Sequence, residues 1–234
     1  MTQSISAVFF DLDGTLLDSQ RGIIESFRRA CAETGIGPLP PDEAIAREIG
    51  PPFEVLLRNL GFELPPEQFE RFVARYRAHY WDLGPQLSPP FEGIPEVLEE
   101  LSRLKDRIPG FVVGVATNKL TPVAQRVLEH VGLGPYFDVI QGLEPGLRPK
   151  PAPDILLRAL SRSGARPANC LFVGDTGSDL LTARAAGTQC GLAAYGYGAD
   201  AVPSSLVPDL RIEHPQELLG YLRARLPAQG KTVP

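Results

Sequence analysis

Short, uninterrupted runs of hydrophobic residues alternate along this chain with stretches in which hydrophobic residues recur every three or four positions. The first run, Ala7-Val8-Phe9-Phe10, is typical of a strand that is buried on both faces of a parallel sheet. The same pattern predicts further strands at 111–116, 137–141, 170–173 and 190–194, with an edge strand at 211–212. Helical spacing predicts helices at 94–105, 121–131, 153–163, 178–186 and 215–226. This alternation predicts an α/β protein, with a Rossmann-like parallel sheet that carries helices on both faces.

Helical periodicity predominates between the first and second predicted strands. Helices are predicted over 21–35, 43–49 and 53–60, and a fourth helix follows Pro65-Pro66. Asp42 is expected to cap the second of these helices. We therefore predict an α-helical cap domain at 18–87, inserted into a core domain that comprises 1–17 and 88–234. The last residues, 229–234, are predicted to form a frayed tail.

Composition narrows the class of protein. The 234 residues are 43% hydrophobic and 22% charged, as in ordinary globular proteins. The net charge of -5 argues against nucleic acid or an anionic membrane surface as a partner, and no apolar run is long enough to span a bilayer. The first residues, Met1 to Ser4, lack the basic region of a signal peptide. Cys31, Cys170 and Cys190 lack CxxC spacing, which predicts reduced thiols and a cytoplasmic location.

Polar residues stand where several predicted strands end, and others precede or begin the helices that follow. They are Asp11 and Asp13 after the first strand, Thr117 and Asn118 after the second, Lys150 before a later helix, and Asp175 and Asp179 after the fourth strand. Because the carboxyl ends of parallel strands meet at one edge of the sheet, we expect these side chains to converge. Several carboxylates at one place require a cation, and oxygen ligands favour Mg²⁺. Hydrogen-bond donors beside that cation indicate that the site binds a phosphate group.

These residues resemble the four sequence signatures of the haloacid dehalogenase (HAD) superfamily of phosphohydrolases. Asp11-Leu-Asp13-Gly-Thr15 resembles the first, Thr117-Asn118 the second, Lys150-Pro151 the third and Gly174-Asp175-Thr-Gly-Ser-Asp179 the fourth. The four signatures occur in the family's order over nearly the whole chain, which makes a chance match improbable. The resemblance is strongest to the phosphoglycolate phosphatase-like branch, and the helical insertion resembles the α-helical cap of that branch.

The resemblance implies a role for each residue at the predicted edge. Asp11 would be the nucleophile that forms an aspartyl-phosphate, and Asp13 would be the general acid and then the general base. Asp11, the backbone carbonyl of Asp13, and Asp175 would hold Mg²⁺. Asp179 would support the metal waters or Lys150, and Thr15 is a further supporting residue. The residues that would bind the phosphoryl oxygens are Thr117, Asn118 and Lys150.

Three further features resemble parts of the family's site. Arg47 and Gly50 resemble a cap loop that contacts substrate, and a solvent-facing Arg47 is the alternative. Lys119 completes a Thr-Asn-Lys triplet that is common in phosphoglycolate phosphatase and pyrophosphatase relatives, and a solvent-facing side chain is again the alternative. Tyr195-Gly-Tyr-Gly198 is expected to form a glycine-rich loop beside the site.

The implied function is a Mg²⁺-dependent phosphatase, acting as a monomer or weak homodimer on a small phosphorylated metabolite, with 2-phosphoglycolate as the best candidate. Asp13 argues against a dehalogenase, and the lack of lysine between Leu17 and Leu87 argues against a phosphonatase. An inorganic pyrophosphatase or nucleotidase of the same fold, and a phosphotransferase like β-phosphoglucomutase, stay open. A non-catalytic HAD-fold binding protein is disfavoured, because every catalytic position carries a competent residue.

Overall fold

Six strands form one parallel sheet in the computed structural model, which describes residues 4–226. The strands are β1 (Ala7–Phe10), β2 (Val112–Leu120), β3 (Val139–Leu143), β4 (Cys170–Gly174), β5 (Gln189–Ala193) and β6 (Leu210–Ile212). Their order across the sheet is β3-β2-β1-β4-β5-β6, and every neighbouring pair is parallel. The predicted Rossmann-like sheet is therefore confirmed, with β1 at its centre. The predicted tail at 229–234 and the first three residues lie outside the described residues.

The central strand is hydrophobic throughout because both faces of the sheet are covered. Val8 and Phe10 belong to the hydrophobic cluster on one face, whereas Ala7 and Phe9 belong to the cluster on the other. Gly114 of β2 pairs with Phe9, and a Cβ at Gly114 would lie only 2.3 Å from the phenylalanine ring. The large side chain of Phe9 therefore uses space that its neighbour on β2 leaves open.

The α-helices have bounds close to those predicted from helical spacing. They are α1 (Gln20–Thr34), α2 (Asp42–Arg47), α3 (Phe53–Asn59), α4 (Pro66–Leu83), α5 (Ile94–Arg107), α6 (Thr121–His130), α7 (Asp154–Ser163), α8 (Gly177–Ala186) and α9 (Glu217–Arg223). The first four lie between β1 and β2, as expected. Within 4–226, no helix combines the length and the hydrophobicity that crossing a bilayer requires.

Aromatic side chains pack between α1, α3 and α4, where Phe27 and Phe72 are buried and Phe53 is partly buried. Phe72 makes edge contacts with Phe27 at 5.4 Å and with Phe53 at 5.6 Å between ring centroids. The chain enters and leaves these helices through adjacent segments, since the Asp18 N–H donates to the Pro89 carbonyl at 2.9 Å. The division into a core domain (1–17 and 88–234) and a cap domain (18–87) stays a prediction.

Strand β2 is longer than predicted and continues to Leu120, so that Thr117 and Asn118 lie within it rather than after it. The extension depends on β3, because Gly142 has no side chain and its backbone approaches β2 closely. A Cβ at Gly142 would lie 2.2 Å from the carbonyl oxygen of Lys119. The pairing with β3 is irregular between Ala116 and Leu120.

The predicted cap of α2 is wrong. Asp42 is the first residue of that helix, and Pro41 occupies the cap position without a side-chain hydrogen bond. The Asp42 carboxylate instead pairs with the Arg28 guanidinium of α1. Its side chain therefore joins two helices rather than capping one.

Candidate active site

Three carboxylates meet at the carboxyl edge of the sheet, where neighbouring strands β1 and β4 end. Asp11 follows β1, and its N–H donates to the Val173 carbonyl of β4 at 2.8 Å. Asp175 follows β4, and Asp179 lies in the first turn of α8. Oxygen atoms of Asp11, Asp175 and Asp179 all lie within 4.8 Å of one another, and the three residues are buried. The structure thus brings together acids from the first and fourth predicted signatures.

Local sequence positions Asp179 through a capping box at the start of α8. The Thr176 side chain accepts a hydrogen bond from the Asp179 N–H at 3.3 Å, and the Thr176 N–H donates to Asp179 Oδ2 at 3.0 Å. Asp179 Oδ1 is left to face Lys150, whose Nζ lies 2.5 Å away. The position of Asp179 beside Lys150 therefore follows from the Thr-x-x-Asp pattern.

The glycine-rich loop at Tyr195–Gly198 contacts the Asp175 carboxylate. The Gly198 N–H donates to Asp175 Oδ2 at 2.8 Å, and the Thr15 hydroxyl donates to Oδ1 at 3.3 Å. A Cβ at Gly196 would lie 2.1 Å from the Gly14 carbonyl oxygen and 2.3 Å from Asp175 Cβ. The loop can approach the carboxylate only because glycine stands at this position. Thr15, which was predicted as a supporting residue, therefore contacts Asp175.

Lys150 connects two of the acids. Its Nζ lies 2.7 Å from Asp11 Oδ1 as well as 2.5 Å from Asp179 Oδ1, and its N–H donates to Asn118 Oδ1 at 2.8 Å. Burial alone would lower the pKa of Lys150, but the charges of Asp11 and Asp179 outweigh it and raise that pKa. The ammonium group therefore stays charged within the cluster.

One ammonium does not neutralise these acids. Burial raises the pKa of Asp11 to about 6, against the opposing charge of Lys150. Burial also raises the pKa of Asp175 well above its usual range, and Asp179 and Asp11 add to the effect. Asp11 Oδ1 is buried and lacks a hydrogen bond of good geometry within the described residues. Clustered carboxylate oxygens with excess negative charge fit a hard divalent cation such as Mg²⁺. The backbone carbonyl of Asp13 stays a predicted ligand.

The predicted phosphate-binding residues of β2 lie beside this cluster. Thr117 is buried, and its hydroxyl accepts a hydrogen bond from the Lys119 N–H at 3.3 Å. The Asn118 amide donates to the Gly50 carbonyl at 3.2 Å, which brings the predicted substrate loop against the second signature. Arg47 is exposed and forms no hydrogen bond or ion pair with any described residue. Gly50 is therefore brought to the site, and Arg47 is not tied to it.

The side chain of Asp13 occupies a second polar cluster. Its Oδ1 accepts a hydrogen bond from the Ser19 hydroxyl at 2.5 Å, and its Oδ2 lies 2.8 Å from Lys119 Nζ. Lys119 also donates to the Tyr80 hydroxyl of α4 at 3.1 Å, and only 9% of its side chain is exposed. The solvent-facing alternative for Lys119 is therefore wrong. Thr117 and Lys119 are two positions apart on one strand and share a face, a signal that could have placed Lys119 in the site.

The fold and the acidic cluster define an α/β protein with its polar centre at the carboxyl edge of a parallel sheet, and comparison with known proteins agrees. Residues 8–193 match the haloacid dehalogenase-like hydrolase family. A solved haloacid dehalogenase-like hydrolase from Streptococcus pneumoniae superposes with a TM-score of 0.81 at 32% identity, covering 93% of this chain and 98% of that one. The chain belongs to the haloacid dehalogenase-like hydrolase family, as the four signatures predicted.

Two curated relatives carry different activities in their names. The phosphoglycolate phosphatase of Aquifex aeolicus is 32% identical over 212 residues, which are 91% of this chain and 94% of that protein. The tyrosine-protein kinase PtkA of Mycobacterium tuberculosis is 36% identical over 196 residues, which are 84% of this chain. The chain spans only 64% of the length of that kinase.

Proposed function

We propose that this protein is a Mg²⁺-dependent phosphatase that hydrolyses a small phosphomonoester through an aspartyl-phosphate on Asp11. The observation that carries the proposal is the Asp11 carboxylate, which is buried at the end of the central strand beside Lys150, Asp175 and Asp179. The near full-length similarity to a protein named phosphoglycolate phosphatase supports it.

The first step transfers the phosphoryl group to the enzyme. A carboxylate oxygen of Asp11 bonds to phosphorus while the bond between phosphorus and the leaving-group oxygen breaks. The electron pair of that bond goes to the leaving oxygen, which takes the proton of the Asp13 carboxylic acid. Thr117, Asn118 and Lys150 donate hydrogen bonds to the phosphoryl oxygens, whose charge is spread in the transition state.

The second step releases phosphate. A water molecule attacks the phosphorus of the aspartyl-phosphate and gives its proton to Asp13, and the bond from phosphorus to Asp11 breaks to restore the carboxylate. Mg²⁺, held by Asp11, Asp175 and the Asp13 carbonyl with Asp179 in support, would supply positive charge to the phosphoryl oxygens. Asp13 thus ends the cycle with the proton that it lost in the first step.

The substrate proposed is a small phosphorylated metabolite, with 2-phosphoglycolate first. Helices at 18–87 would form a cap over the site, and the contact between Asn118 and Gly50 supports this arrangement. Arg47, on the same part of the chain, would bind a second anionic group of the substrate.

All three cysteines are buried and free of disulfides, which supports the proposed cytoplasmic location. A monomer or weak homodimer is proposed.

Phosphate release with and without Mg²⁺ tests the proposal. The substrates are 2-phosphoglycolate, pyrophosphate, nucleoside monophosphates, sugar phosphates and p-nitrophenyl phosphate. We expect Asp11→Asn to abolish turnover, because the nucleophile is lost, whereas the exposed Asp200→Asn control leaves it unchanged. Acid-quenched protein should carry phosphate on Asp11 during turnover. Activity of Asp11→Asn close to that of the wild type would contradict the proposal.

The similarity to PtkA favours a second candidate, phosphoryl transfer from ATP to tyrosine. The same protein is therefore given ATP and a tyrosine-containing peptide, with phosphotyrosine as the readout. Phosphotyrosine formation that exceeds phosphate release would favour the kinase. Activity that depends on a sugar bisphosphate would favour a mutase, and no turnover on any substrate would favour a binding protein.

A further inference from the structure

Both carboxylate oxygens of Asp13 are engaged by donors in this structure. Ser19 donates to Oδ1 at 2.5 Å, and the Lys119 ammonium lies 2.8 Å from Oδ2. Burial alone would lower the pKa of Lys119, but the charge of Asp13, with smaller contributions from Tyr80 and Tyr76, outweighs burial and raises that pKa. Lys119 is therefore a buried cation whose partner is the proposed general acid.

This arrangement conflicts with proton donation by Asp13. To protonate the leaving oxygen, Asp13 must first carry the proton, and a protonated Asp13 no longer offers Lys119 a counter-charge. A buried ammonium that loses its carboxylate without a replacement is strongly destabilised. Among the described residues, Asp13 is the only carboxylate within 4.0 Å of Lys119 Nζ. An anionic group of the substrate would supply that replacement.

Lys119 lies between the proposed general acid and a helix of the predicted cap. Its Nζ lies between Asp13, at the end of β1, and Tyr80 of α4, at 4.2 Å from the ring centroid of that tyrosine. Tyr80 in turn stacks on Tyr76 at 5.7 Å, so an aromatic wall of the predicted cap borders the ammonium. A leaving group that departs past Asp13 toward the cap passes within reach of Lys119.

We propose that Lys119 selects phosphoesters whose leaving group carries a second anionic group, a carboxylate or phosphate, close to the ester oxygen. That anion replaces Asp13 as the partner of Lys119, and the exchange releases Asp13 to protonate the leaving oxygen. The inference rests on the proposed phosphatase function and names its substrate class. In 2-phosphoglycolate one methylene separates the ester oxygen from the carboxylate, whereas a neutral alcohol would leave the pair of Asp13 and Lys119 intact.

The test compares kcat/KM for 2-phosphoglycolate and 2-hydroxyethyl phosphate, which differ in the anionic group of the leaving alcohol. We expect the wild type to prefer 2-phosphoglycolate, and Lys119→Met to reduce that preference by about 10- to 100-fold, as expected for losing a hydrogen bond to a charged group. Lys119→Arg should restore part of the preference. Lys105→Met, which removes a lysine remote from Asp13, should leave it unchanged.

Hydrolysis of p-nitrophenyl phosphate, whose leaving group needs no proton, distinguishes failure of the Lys119 proposal from failure of the phosphatase proposal. Equal losses on the two alkyl phosphates in Lys119→Met would overturn the proposal, since Lys119 would then act only through the position of Asp13. A wild type without preference for the anionic substrate would also overturn it. Tyr80→Phe keeps the ion pair and removes the hydrogen bonds of the Tyr80 hydroxyl with Lys119 and Ser88, and it should reduce the preference less than Lys119→Met. If the wild type shows no hydrolysis of p-nitrophenyl phosphate that depends on Asp11, the phosphatase proposal itself fails.

Discussion

Replacing Lys150 with methionine tests how the buried acidic cluster is stabilised. Lys150 Nζ lies 2.7 Å from Asp11 and 2.5 Å from Asp179, and all three side chains are buried. Removing one partner of a buried ion pair costs about 3–5 kcal/mol, because the remaining charge has neither water nor a counter-charge. Since 1 kcal/mol corresponds to about 2–4 °C in a chain of this size, we expect Tm to fall by about 6–20 °C.

Scanning calorimetry on protein treated with EDTA measures this effect without a cation to replace the ammonium. Lys105→Met is the matched control, because Lys105 forms a more exposed ion pair with Asp138 at 2.8 Å. Partly exposed pairs contribute about 0–1 kcal/mol, so the control should lose far less stability than Lys150→Met. In phosphate-release assays, Lys150→Ala should lower turnover by roughly 10²–10³-fold, as for loss of one preorganised donor.

The stability deficit of Lys150→Met should grow with pH. Burial raises the pKa of Asp11 from 3.8 to about 6, and the charge of Lys150 opposes that rise. Without Lys150 the folded-state pKa of Asp11 rises further. A carboxyl with a raised folded-state pKa binds more protons folded than unfolded, so its contribution to stability falls as pH increases. The wild type loses this contribution up to about pH 6, whereas the variant continues to lose it at higher pH.

Two results would contradict this prediction. One is an equal loss of Tm in Lys150→Met and Lys105→Met. It would mean that burial does not raise the free-energy cost of leaving a carboxylate unpaired. The other is a deficit that stays constant between about pH 5 and about pH 8, which would mean that Asp11 does not titrate against Lys150.

Two further predictions concern Asp175 and the loop that holds it. Mg²⁺ at 100 times its Kd should stabilise the protein by about 2.7 kcal/mol in calorimetry, and Asp175→Asn should lose most of that shift, whereas the exposed Asp200→Asn should keep it. Gly196→Ala should lower both Mg²⁺ affinity and turnover, because its Cβ would lie 2.1 Å from a carbonyl oxygen and the loop must move. Gly220→Ala has open space around it and should leave both properties unchanged. An unaltered Mg²⁺ affinity in Gly196→Ala would contradict the positioning of Asp175 by this loop.

Much of the site could be predicted from short stretches of sequence. The uninterrupted run at Ala7–Phe10 defines a strand buried on both faces, and Asp11 follows it at the carboxyl edge because parallel strands end there together. The capping box that joins Thr176 and Asp179 spans one helical turn. These features depend on residues close in sequence, so their periodicity and spacing are sufficient to place them.

Other features of the site depend on contacts between distant segments, which no local pattern specifies. The end of β2 was predicted too early because its extension depends on the missing side chain of Gly142 on β3. The contact of Gly50 with Asn118 depends on how the helices after β1 pack against the sheet. Neither the close approach of Gly142 to β2 nor the contact of Gly50 with Asn118 follows from spacing along the chain.

The family, the parallel sheet and the acids at its edge follow from the amino-acid sequence alone, because hydrophobic periodicity and short signatures encode them locally. The partners of those acids depend on how distant segments pack together. Asp13 meets Ser19 and Lys119, and Lys119 meets Tyr80 of α4, because β1, β2 and α4 pack side by side. The buried charge of Lys119 is therefore set by packing, since desolvation and pairing depend on every segment that surrounds a side chain.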